Sequence, residues 1–432
     1  HEFLQQAVAK NAAVLVVHSK NAALEALSKN VSVLLVSDTL KALQNLGQYW
    51  RKKMSAKILA VTGTNGKTTT KEFTAAILSS KLKVQYSKGS FNNHWGVPLS
   101  LLSIHPEHQV AVIEMGMNHP GEIRDLVAIA KPNVVAVTMV GRGHLQGLQS
   151  IDGVAAAKEE IYRCSDSGIE HIYNLDNPHT FQMFLRARSL VERKDATAPK
   201  KIMSFSSQTK TASEFGCDVR LEVISASETS LTVTGEIHGV KNQVVIPVFG
   251  AHNITNLMLA CCFALSAGFS AEEIWPALNR CQNAWGRNQW VDTESGAKIL
   301  FDAYNANPES MRAAIENFSA LQTSAKKMVL LGEMRELGEA SSECHYELGK
   351  NVGAQDFYWI GFVGPSHSDF ERGLRESGFH GRFEHADSYE VGLMQKWWPI
   401  LHADETMLIK GSRGVGLERA LQECKPTNFK TK

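Results

Sequence analysis

The 432-residue sequence lacks most of the features that mark secreted, membrane-spanning or zinc-binding proteins. Its seven cysteines are odd in number and scattered, and none forms a CxxC pair, which argues against a disulfide framework or a zinc site. No apolar run approaches the roughly eighteen residues that span a bilayer. The longest candidate, 258–269, contains cysteine and serine and predicts a buried helix. We therefore expect a cytoplasmic protein that does not enter a membrane.

Net charge is also nearly absent from the sequence. The 45 Lys and Arg residues almost balance the 44 Asp and Glu residues, which leaves a formal charge of +1. No overall field therefore attracts nucleic acid or an anionic membrane surface, and any anionic ligand must be held by a local site. This favours small-molecule substrates, and we expect a monomer.

The sequence is long enough for about three domains of roughly 150 residues each. Residues 1–54 predict a helix, two strands and a second helix that begins near Asp38. From Lys57, short aliphatic runs alternate with helical stretches, and a second such series follows Trp285. This alternation predicts an α/β fold with mostly parallel sheets, and we place the domains at 1–54, 55–286 and 287–432. The runs are KILAVTG, VAVIEMG, NVVAVTMV and HIYNL in the first series, and KILFDAY, KKMVLLGE, FYWIGFVG and ETMLIKGS in the second. Between the two series, a strand-rich section extends from CDVRLEVISASETSLTVTGEI to NQVVIPV.

One segment, TGTNGKTTTKEF at 62–73, has the composition of a phosphate-binding loop. A buried strand, a tight turn and a helix follow one another here, so backbone N–H groups and the positive end of the helix converge beside Lys67. Lys67 can reach the β and γ phosphates of a nucleotide, and the Thr68 hydroxyl can bind Mg²⁺. The loop is a variant, because the first glycine of GxxxxGK[ST] would fall at Val61. The alternative is an ordinary glycine turn with a solvated lysine.

Three more residues are candidates for metal binding. Glu114 stands where the run VAVIEMG ends, and it is either a Mg²⁺ ligand or a capping or surface carboxylate. Lys158 shares one helix face with the apolar residues of SIDGVAAAKEEIY. Its amine either extends to water or has reacted with CO₂ to form a carbamate, an anionic oxygen ligand for a second Mg²⁺. His144, in the loop GRGHLQG, is the candidate co-ligand.

Nine segments of the sequence occur in the order found in the Mur ligases, and the sequence resembles this family over nearly its whole length. The resemblance implies a P-loop central domain, a Rossmann-like C-terminal domain and an ATP-dependent carbon–nitrogen ligase of peptidoglycan precursor synthesis. YNANP, SFNNHWGVP and NHPGEI look most like the member that joins D-alanyl-D-alanine to a UDP-N-acetylmuramoyl tripeptide through an acyl phosphate. The DNPR signature of another member is absent, and DNPH at 176–179 reads as a turn. The nine segments are TGTNGKTTTKEF, SFNNHWGVP, IEMGMNHPGEI, HLQG, AAAKEEIY, HNITN, FDAYNANPES, LLGEMRELG and LIKGSRG.

The resemblance also implies roles for individual residues, with ATP and two Mg²⁺ ions as cofactors. One Mg²⁺ would be bound by Thr68 and Glu114, and the other by His144 and carbamylated Lys158. For the nucleotide it implies Gly63, Thr64, Asn65, Gly66, Lys67, Thr68 and Thr69 at the phosphates, Asn253 and Asn256 at adenine, Arg287 at the γ phosphate, Asp302 at the ribose, and Asn305 and Asn307 on the nucleotide-facing strand end. For the substrates it implies Asn92, Asn93 and His119 in the muramoyl-peptide cleft and Ser412 and Arg413 at the incoming dipeptide. The alternative for the asparagines is structural, as helix caps or turn residues.

The sequence departs from the family pattern at three places. The usual acidic pair before YNANP is Phe301 and Asp302 here, which keeps only the carboxylate matched to ribose. The usual Asn and acidic residue ahead of the metal histidine are Met139 and Arg142. Family members also begin with further strands that carry much of the uridine-nucleotide site. None precedes HEFLQQAV in this sequence, so we expect a truncated N-terminal domain.

Three other functions share parts of this pattern. A folylpolyglutamate synthase-like ligase would have the phosphate loop and the metal residues but would not need YNANP or SFNNHWGVP. A nucleotide-binding scaffold without chemistry would not need Lys67, Glu114 or Lys158. A P-loop hydrolase or kinase would release or transfer phosphate without a peptidyl substrate.

Overall fold

A computed structural model of the chain describes residues 3–19, 24, 31–398 and 401–428. The chain begins with α1 (Leu4–Ala9), the parallel strands β1 (Val14–Val17) and β2 (Ser32–Leu35), and α2 (Thr39–Lys53). Asp38 caps α2, because its Oδ1 accepts hydrogen bonds from the backbone N–H groups of residues 40 and 41. These elements confirm the helix, strand, strand, helix pattern predicted for the first 54 residues.

A nine-stranded sheet forms the centre of the molecule, with the strand order β11-β10-β9-β8-β7-β6-β3-β5-β4. All pairings from β4 to β9 are parallel, and β9, β10 and β11 form an antiparallel extension. The strands are β3 (Lys57–Thr62), β4 (Val84–Tyr86), β5 (Val110–Glu114), β6 (Val134–Val137), β7 (Glu170–Asn174), β8 (Lys201–Phe205), β9 (Val219–Ala226), β10 (Leu231–Ile237) and β11 (Val240–Ile246).

Helices cover both faces of this sheet, as the alternating pattern predicted. One face packs against α3 (Lys67–Leu78), α10 (Ile254–Ser266) and α11 (Ala271–Ala277). The run at 258–269 predicted a buried helix, and α10 confirms this, because residues 257–264 are at most 1% exposed. On the other face lie α4 (Gly96–Leu102), α5 (Glu122–Ala130), α7 (Ile151–Arg163) and α8 (Pro178–Glu192), with the short α6 (Leu145–Leu148) and α9 (Thr209–Phe215) in the connections.

The C-terminal part of the chain forms a second α/β layer structure around a six-stranded sheet of order β12-β13-β17-β14-β15-β16. Only β12 runs antiparallel to its neighbour. Its strands are β12 (Gln289–Asp292), β13 (Lys298–Asp302), β14 (Lys326–Gly332), β15 (Trp359–Val363), β16 (Arg382–Ala386) and β17 (Glu405–Lys410). One face holds α12 (Pro308–Ser319), α13 (Ser341–Gly353) and α14 (His367–Glu376), and the other holds α15 (Leu393–Trp397) and α16 (Glu418–Glu423). The predicted α/β fold class is thereby confirmed.

Four strands were not predicted, and three of them share a cause. β4, β12 and β16 stand at sheet edges, where one side needs no partner and short, partly polar segments suffice. The fourth, β8, lies inside the sheet. The domain boundaries after residues 54 and 286 stay predictions. None of the helices in the described part of the chain is both long and apolar enough to cross a membrane.

His171 on β7 is a buried titratable residue that lies outside the phosphate loop. Its side chain lies against the rings of Tyr162 and Tyr173, and its Nδ1 is 3.0 Å from the Tyr173 hydroxyl. The residue is 6% exposed, and burial lowers the pKa of the imidazole to about 4. Because the unfolded chain protonates His171 at about pH 6.5, acid favours unfolding.

We therefore expect His171→Phe to remove part of the acid sensitivity of folding. The folded pKa lies below the unfolded one, so stability is complete above about pH 6.5 and is lost as pH falls towards about 4, by up to about 3 kcal/mol. The measurement is urea unfolding of wild type and variant at neutral and acidic pH. The exposed His380 offers a matched control, since His380→Phe should leave the pH profile unchanged. Identical slopes for wild type and His171→Phe would contradict this assignment.

Candidate active site

The candidate site lies at one edge of the central sheet. The carboxyl ends of β3, β5, β6 and β7 meet there, because these strands are parallel neighbours. The chain order reverses around β3, which has β6 on one side and β5 on the other. Ligands of open α/β sheets bind in the crevice at such a switch point.

The loop after β3 has the backbone geometry of a phosphate-binding loop. Gly66 has a φ of +83° and stands at the N-terminus of α3, so the first N–H groups of that helix point into the crevice. Lys67 Nζ donates to the Gly63 carbonyl at 2.7 Å and to the Thr64 carbonyl at 3.3 Å. Burial lowers the pKa of Lys67, while the nearby carboxylates of Glu114 and Glu336 oppose this change. The strand, turn and helix predicted from 58–78 are confirmed.

Gly66 has no room for a side chain in this loop. A Cβ there would overlap Asn256 Oδ1, and its positive φ costs other residues roughly 1–2 kcal/mol. We expect Gly66→Ala to push α10 away from the loop and to weaken Mg·ADP binding at least about tenfold. Isothermal titration calorimetry measures this directly.

Gly168 provides the matched control for that substitution. It has the same φ of +83°, and no atom among the described residues lies within 4 Å of the position its Cβ would take. Gly168→Ala should therefore lower stability by a similar strain without changing ADP affinity. Equal ADP affinities for both variants would contradict the role given to Gly66.

Glu114 and Thr68 form the centre of a polar cluster beside the loop. Thr68 Oγ1 donates to Glu114 Oε2 at 2.9 Å, and Asn92 Nδ2 donates to Glu114 Oε1 at 2.7 Å. Glu114 is 1% exposed and ends β5, as the sequence predicted. Arg287 Nη2 reaches the same Thr68 hydroxyl at 3.2 Å, and the Ser90 hydroxyl lies 3.3 Å from it. Residues from three distant segments thus converge on the Thr68 hydroxyl group.

Lys158 lies on α7 with its side chain 1% exposed. Within the described chain its ammonium has no hydrogen-bond or ion-pair partner. Burial, and then the positive charge of Lys67, hold the pKa of Lys158 well below its usual value. The sequence left open whether this lysine extends to water, and the structure buries nearly all of the residue.

His144 stands near Lys158, in the left-handed conformation with φ +59°. Its Nδ1 lies 2.7 Å from Glu336 Oε2, which belongs to the loop after β14, and the two atoms are in close contact without hydrogen-bond alignment. Burial lowers the pKa of His144, and Lys67 and Lys158 lower it further, while Glu336 opposes this. His144 therefore joins the central and C-terminal parts of the molecule.

A cavity of about 330 Å³ opens beside the loop, between the central and C-terminal sheets. It contains most of the residues for which the sequence implied nucleotide contacts. Its lining includes Asn65, Gly66, Thr69, Asn253, Asn256, Arg287, Asp302 and Asn305, together with Thr138, Asn174, Asp176, Asn177, His252, Glu309 and Lys410.

Several polar side chains that line this cavity are fixed by hydrogen bonds to neighbouring groups. Asn256 Nδ2 donates to Asn253 Oδ1 at 3.0 Å, and Asn253 Nδ2 donates to the carbonyl of residue 249 at 2.9 Å. Asp302 Oδ2 accepts a hydrogen bond at 2.5 Å from Lys410 Nζ, which is its direct neighbour across β13 and β17. Lys410 Nζ also donates to the Asn305 carbonyl at 3.2 Å. The carboxylate of Asp302 is therefore neutralised where it faces the cavity.

Asn307 does not line the cavity but joins two domains. It caps α12, with its Oδ1 accepting from the Ser310 N–H at 2.9 Å. The same side chain exchanges hydrogen bonds with Asn65 of the phosphate loop, at 3.0 and 2.8 Å. Nearby, the Arg142 guanidinium contacts Glu309 at 3.2 Å. Arg142, where the sequence departs from the family pattern, thus provides a second contact between the loop region and α12.

The residues suggested for substrate binding lie outside the cavity. Asn93 Oδ1 caps the turn before α4, accepting from the N–H groups of residues 95 and 96. His119 lies beside the loop that precedes α7, next to Gly147. Ser412 Oγ accepts from the Arg335 N–H at 3.0 Å, and the Arg413 guanidinium stacks 5.4 Å from the Tyr304 ring centre.

Five residues that the sequence reasoning missed also contribute to the site. Thr138 Oγ1 donates to the Asn65 carbonyl at 2.5 Å, and Tyr304 stacks against Arg287 at 4.7 Å. Two of the five, at positions 138 and 410, stand at or just after the ends of buried strands, which is a usable signal because parallel strands end at a common edge. The other three depend on how the domains dock. The missed residues are Thr138, Tyr304, Glu309, Glu336 and Lys410.

The donor set suits a hard cation whose coordination is completed by phosphate and water. Glu114 and Thr68 offer two oxygen atoms 2.9 Å apart, close enough for a shared ion. Among the described residues there is no cluster of three or more His, Cys, Asp or Glu side chains that could hold a metal alone. A Mg²⁺ site that retains waters and binds through substrate phosphates fits both observations.

Comparison with known proteins agrees with this geometry. The family model for the Mur ligase middle domain matches residues 61–264, and the model for the Mur ligase glutamate ligase domain matches residues 286–413. The UDP-N-acetylmuramoyl-tripeptide–D-alanyl-D-alanine ligase of Bacillus subtilis is 32% identical over 388 residues, 89% of this chain and 79% of the relative. The enzyme of the same name from Escherichia coli is 32% identical over 432 residues, 98% of this chain and 88% of the relative.

A solved structure gives the same result in three dimensions. The crystal structure of MurF from Acinetobacter baumannii superposes with a TM-score of 0.80 at 31% identity, over 98% of this chain and 87% of that one. Sequence and structural similarity therefore extend across both α/β units and the interface between them. The chain belongs to the Mur ligase family.

Proposed function

We propose that this protein is an ATP-dependent ligase that joins D-alanyl-D-alanine to a UDP-N-acetylmuramoyl tripeptide. Relatives of that name, 32% identical over 89% and 98% of the chain, support the reaction and its substrates. The observation that carries the proposal is the phosphate loop at Lys67, which faces a cavity closed by the C-terminal sheet. A ligase needs such an interface, because two separately bound substrates must meet there.

ATP occupies the cavity in this proposal. The loop N–H groups and Lys67 bind the β and γ phosphates, and Arg287 lies at the γ phosphate beside Thr68. Asn253 and Asn256 contact adenine, while Asp302 contacts the ribose with Lys410 holding its carboxylate in place. The remaining nucleotide contacts are assigned to Gly63, Thr64, Asn65, Gly66, Thr69, Asn305 and Asn307.

Two Mg²⁺ ions complete the proposed site. Thr68 and Glu114 would hold one, and His144 with carbamylated Lys158 would hold the other. When bound, Mg²⁺ neutralises charge that develops on the transferred phosphoryl group. The hydroxyl and carboxylate oxygens found together at 2.9 Å support the first assignment.

A carbamate explains why a lysine is buried without a partner. The neutral amine of Lys158 attacks CO₂, a proton leaves the nitrogen, and the product is an anionic carbamate with two oxygen donors. A buried ammonium with no acceptor is costly, so the folded protein favours the uncharged amine that can react. A cation held by His144 and the carbamate would neutralise the new negative charge.

The reaction proceeds in two steps. The terminal carboxylate of the tripeptide attacks the γ phosphorus in line, and ADP leaves to give an acyl phosphate. The amine of D-alanyl-D-alanine then attacks the acyl carbon, loses a proton and expels phosphate from a tetrahedral intermediate. Lys67 and the loop N–H groups stabilise charge in the first step. The cavity between the domains keeps water from the acyl phosphate.

The two peptide substrates are assigned to cavities on either side of the nucleotide. A cavity of about 280 Å³ between α2 and the central domain includes Asn93, and we assign the muramoyl peptide to this side, with Asn92 and His119. A cavity of about 440 Å³ at the carboxyl ends of β14 to β17 includes Arg335. We assign D-alanyl-D-alanine to it, with Ser412 and Arg413 at its border.

The proposal includes the predicted domain division at 1–54, 55–286 and 287–432 and a monomeric protein that works in the cytoplasm. A folylpolyglutamate synthase-like activity is not favoured, because the relatives at 32% identity share the D-alanyl-D-alanine ligase name.

A coupled ADP-release assay tests this function. We expect ADP to form only when ATP, the UDP-linked tripeptide and D-alanyl-D-alanine are all present, with one amide formed for each ADP. ADP release without the peptides would instead indicate a hydrolase, and release with a folate and glutamate would indicate the related ligase. ADP binding without any turnover would indicate a scaffold.

A further inference from the structure

We propose that Glu336 of the C-terminal domain is a positioning residue for His144, so that the second metal site is ordered only when the domains are closed. This inference rests on the proposed function, because it concerns the metal ligand assigned there. Glu336 also lines the cavity of about 440 Å³ assigned to D-alanyl-D-alanine, but the role proposed here does not involve that substrate. It acts through the imidazole.

The side-chain contact is the first observation. Glu336 Oε2 lies 2.7 Å from His144 Nδ1. With Nδ1 facing a carboxylate, Nε2 is the nitrogen left to bind a cation. Metal-binding histidines commonly direct their second nitrogen at a carboxylate, which fixes the tautomer and the ring orientation.

The backbone around this contact is the second observation. Glu336 has a φ of +66° and His144 a φ of +59°, a conformation that residues other than glycine adopt rarely. The Gln146 N–H donates to the Glu336 carbonyl at 3.1 Å, so the two strained segments are bonded to each other across the interface. A Cβ at the following Gly338 would lie 3.2 Å from the Gln146 Cα, which shows how close they pack. Strain of this kind persists where the surrounding structure enforces it.

The interface also has contacts that do not involve the histidine. Glu309 on α12 accepts from the Arg142 N–H at 3.0 Å and contacts its guanidinium at 3.2 Å. These contacts join the same two domains, and Arg142 precedes His144 by only two residues in the chain. Glu309→Gln therefore weakens domain closure while leaving the carboxylate at His144, and it separates closure in general from the positioning of one ring.

The experiment replaces Mg²⁺ with Mn²⁺ and reads the nitrogen ligand directly. Electron spin echo spectroscopy of Mn²⁺ with saturating ADP detects ¹⁴N coupling from a bound histidine. We expect this coupling in the wild type, its loss in His144→Ala and in Glu336→Ala, and its retention in Glu309→Gln. Mn²⁺ affinity at this site should fall about 10- to 100-fold in Glu336→Ala. Glu336→Gln keeps an oxygen acceptor and should recover part of the coupling.

Each other outcome overturns the inference in a recognisable way. Unchanged coupling in Glu336→Ala would show that the carboxylate does not orient the ring. Equal loss in Glu309→Gln would assign the effect to closure alone. Wild-type protein that releases ADP with both peptides but shows no ¹⁴N coupling would leave the function intact and remove His144 as the ligand. If the wild type were inactive but its ¹⁴N coupling to Mn²⁺ still depended on Glu336, the proposed ligase function would be wrong and the positioning role of Glu336 would stand.

Discussion

Lys158→Ala is expected to lose at least about 10³-fold in the rate of ADP formation while remaining folded. The side chain is 1% exposed and has no partner in the described chain, so its removal deletes no stabilising contact other than apolar packing. The loss of rate follows because the carbamate that would hold the second cation cannot form. The measurement combines the coupled ADP-release assay with circular dichroism and thermal unfolding.

Arg163→Ala is the matched control for this substitution, because it removes an exposed cation from the same helix. It should retain full activity. Short carboxylic acids such as acetate should partly restore the Lys158→Ala protein, since a free carboxylate can enter the space and replace the missing anionic ligand. A fully active Lys158→Ala protein would remove the carbamate from the mechanism.

Lys67→Met is expected to lower kcat/KM for ATP by about 10³-fold or more and to leave the folded state at least as stable as before. Activity falls because the charge that stabilises the phosphoryl group in the transition state is gone. Stability does not fall, because burial already disfavours the ammonium and lowers its pKa in the wild type. Steady-state kinetics and urea unfolding measure the two effects separately.

Lys88→Met controls for the loss of a lysine near the site. Lys88 is exposed in the segment before Ser90, and its substitution should change neither measurement. If Lys67→Met bound Mg·ATP and turned it over as the wild type does, the phosphate loop would not be the catalytic element. A large loss of stability in Lys67→Met would show instead that the hydrogen bonds of Nζ to the loop are structural.

The local parts of the site were predictable because their chemistry is contiguous in the chain. The segment 62–73 specifies a strand, a turn and a helix, and these alone direct N–H groups towards one point. Glu114 was predictable for a related reason, since the end of an apolar run marks the edge of the sheet. The buried face of α7 likewise followed from its helical period, which placed Lys158 among apolar residues.

The contacts between distant segments were not predictable. Lys410 lies in the segment LIKGSRG, but its ion pair with Asp302 depends on the pairing of β17 with β13, which the chain order does not reveal. The nucleotide-side role of Asn307 stays a prediction, whereas its hydrogen bonds to Asn65 depend on how the two domains dock. Short edge strands such as β4 were missed because one of their sides needs no apolar pattern.

The sequence by itself determined the α/β class, the phosphate loop and the family, because periodicity and short motifs are properties of neighbouring residues. Only the tertiary structure decided that His144 contacts Glu336 and that Lys158 has no hydrogen-bond or ion-pair partner among the described residues. These facts depend on the order of the strands and on how two sheets dock, and they arise from packing summed over the whole interface. No single segment of the chain encodes them.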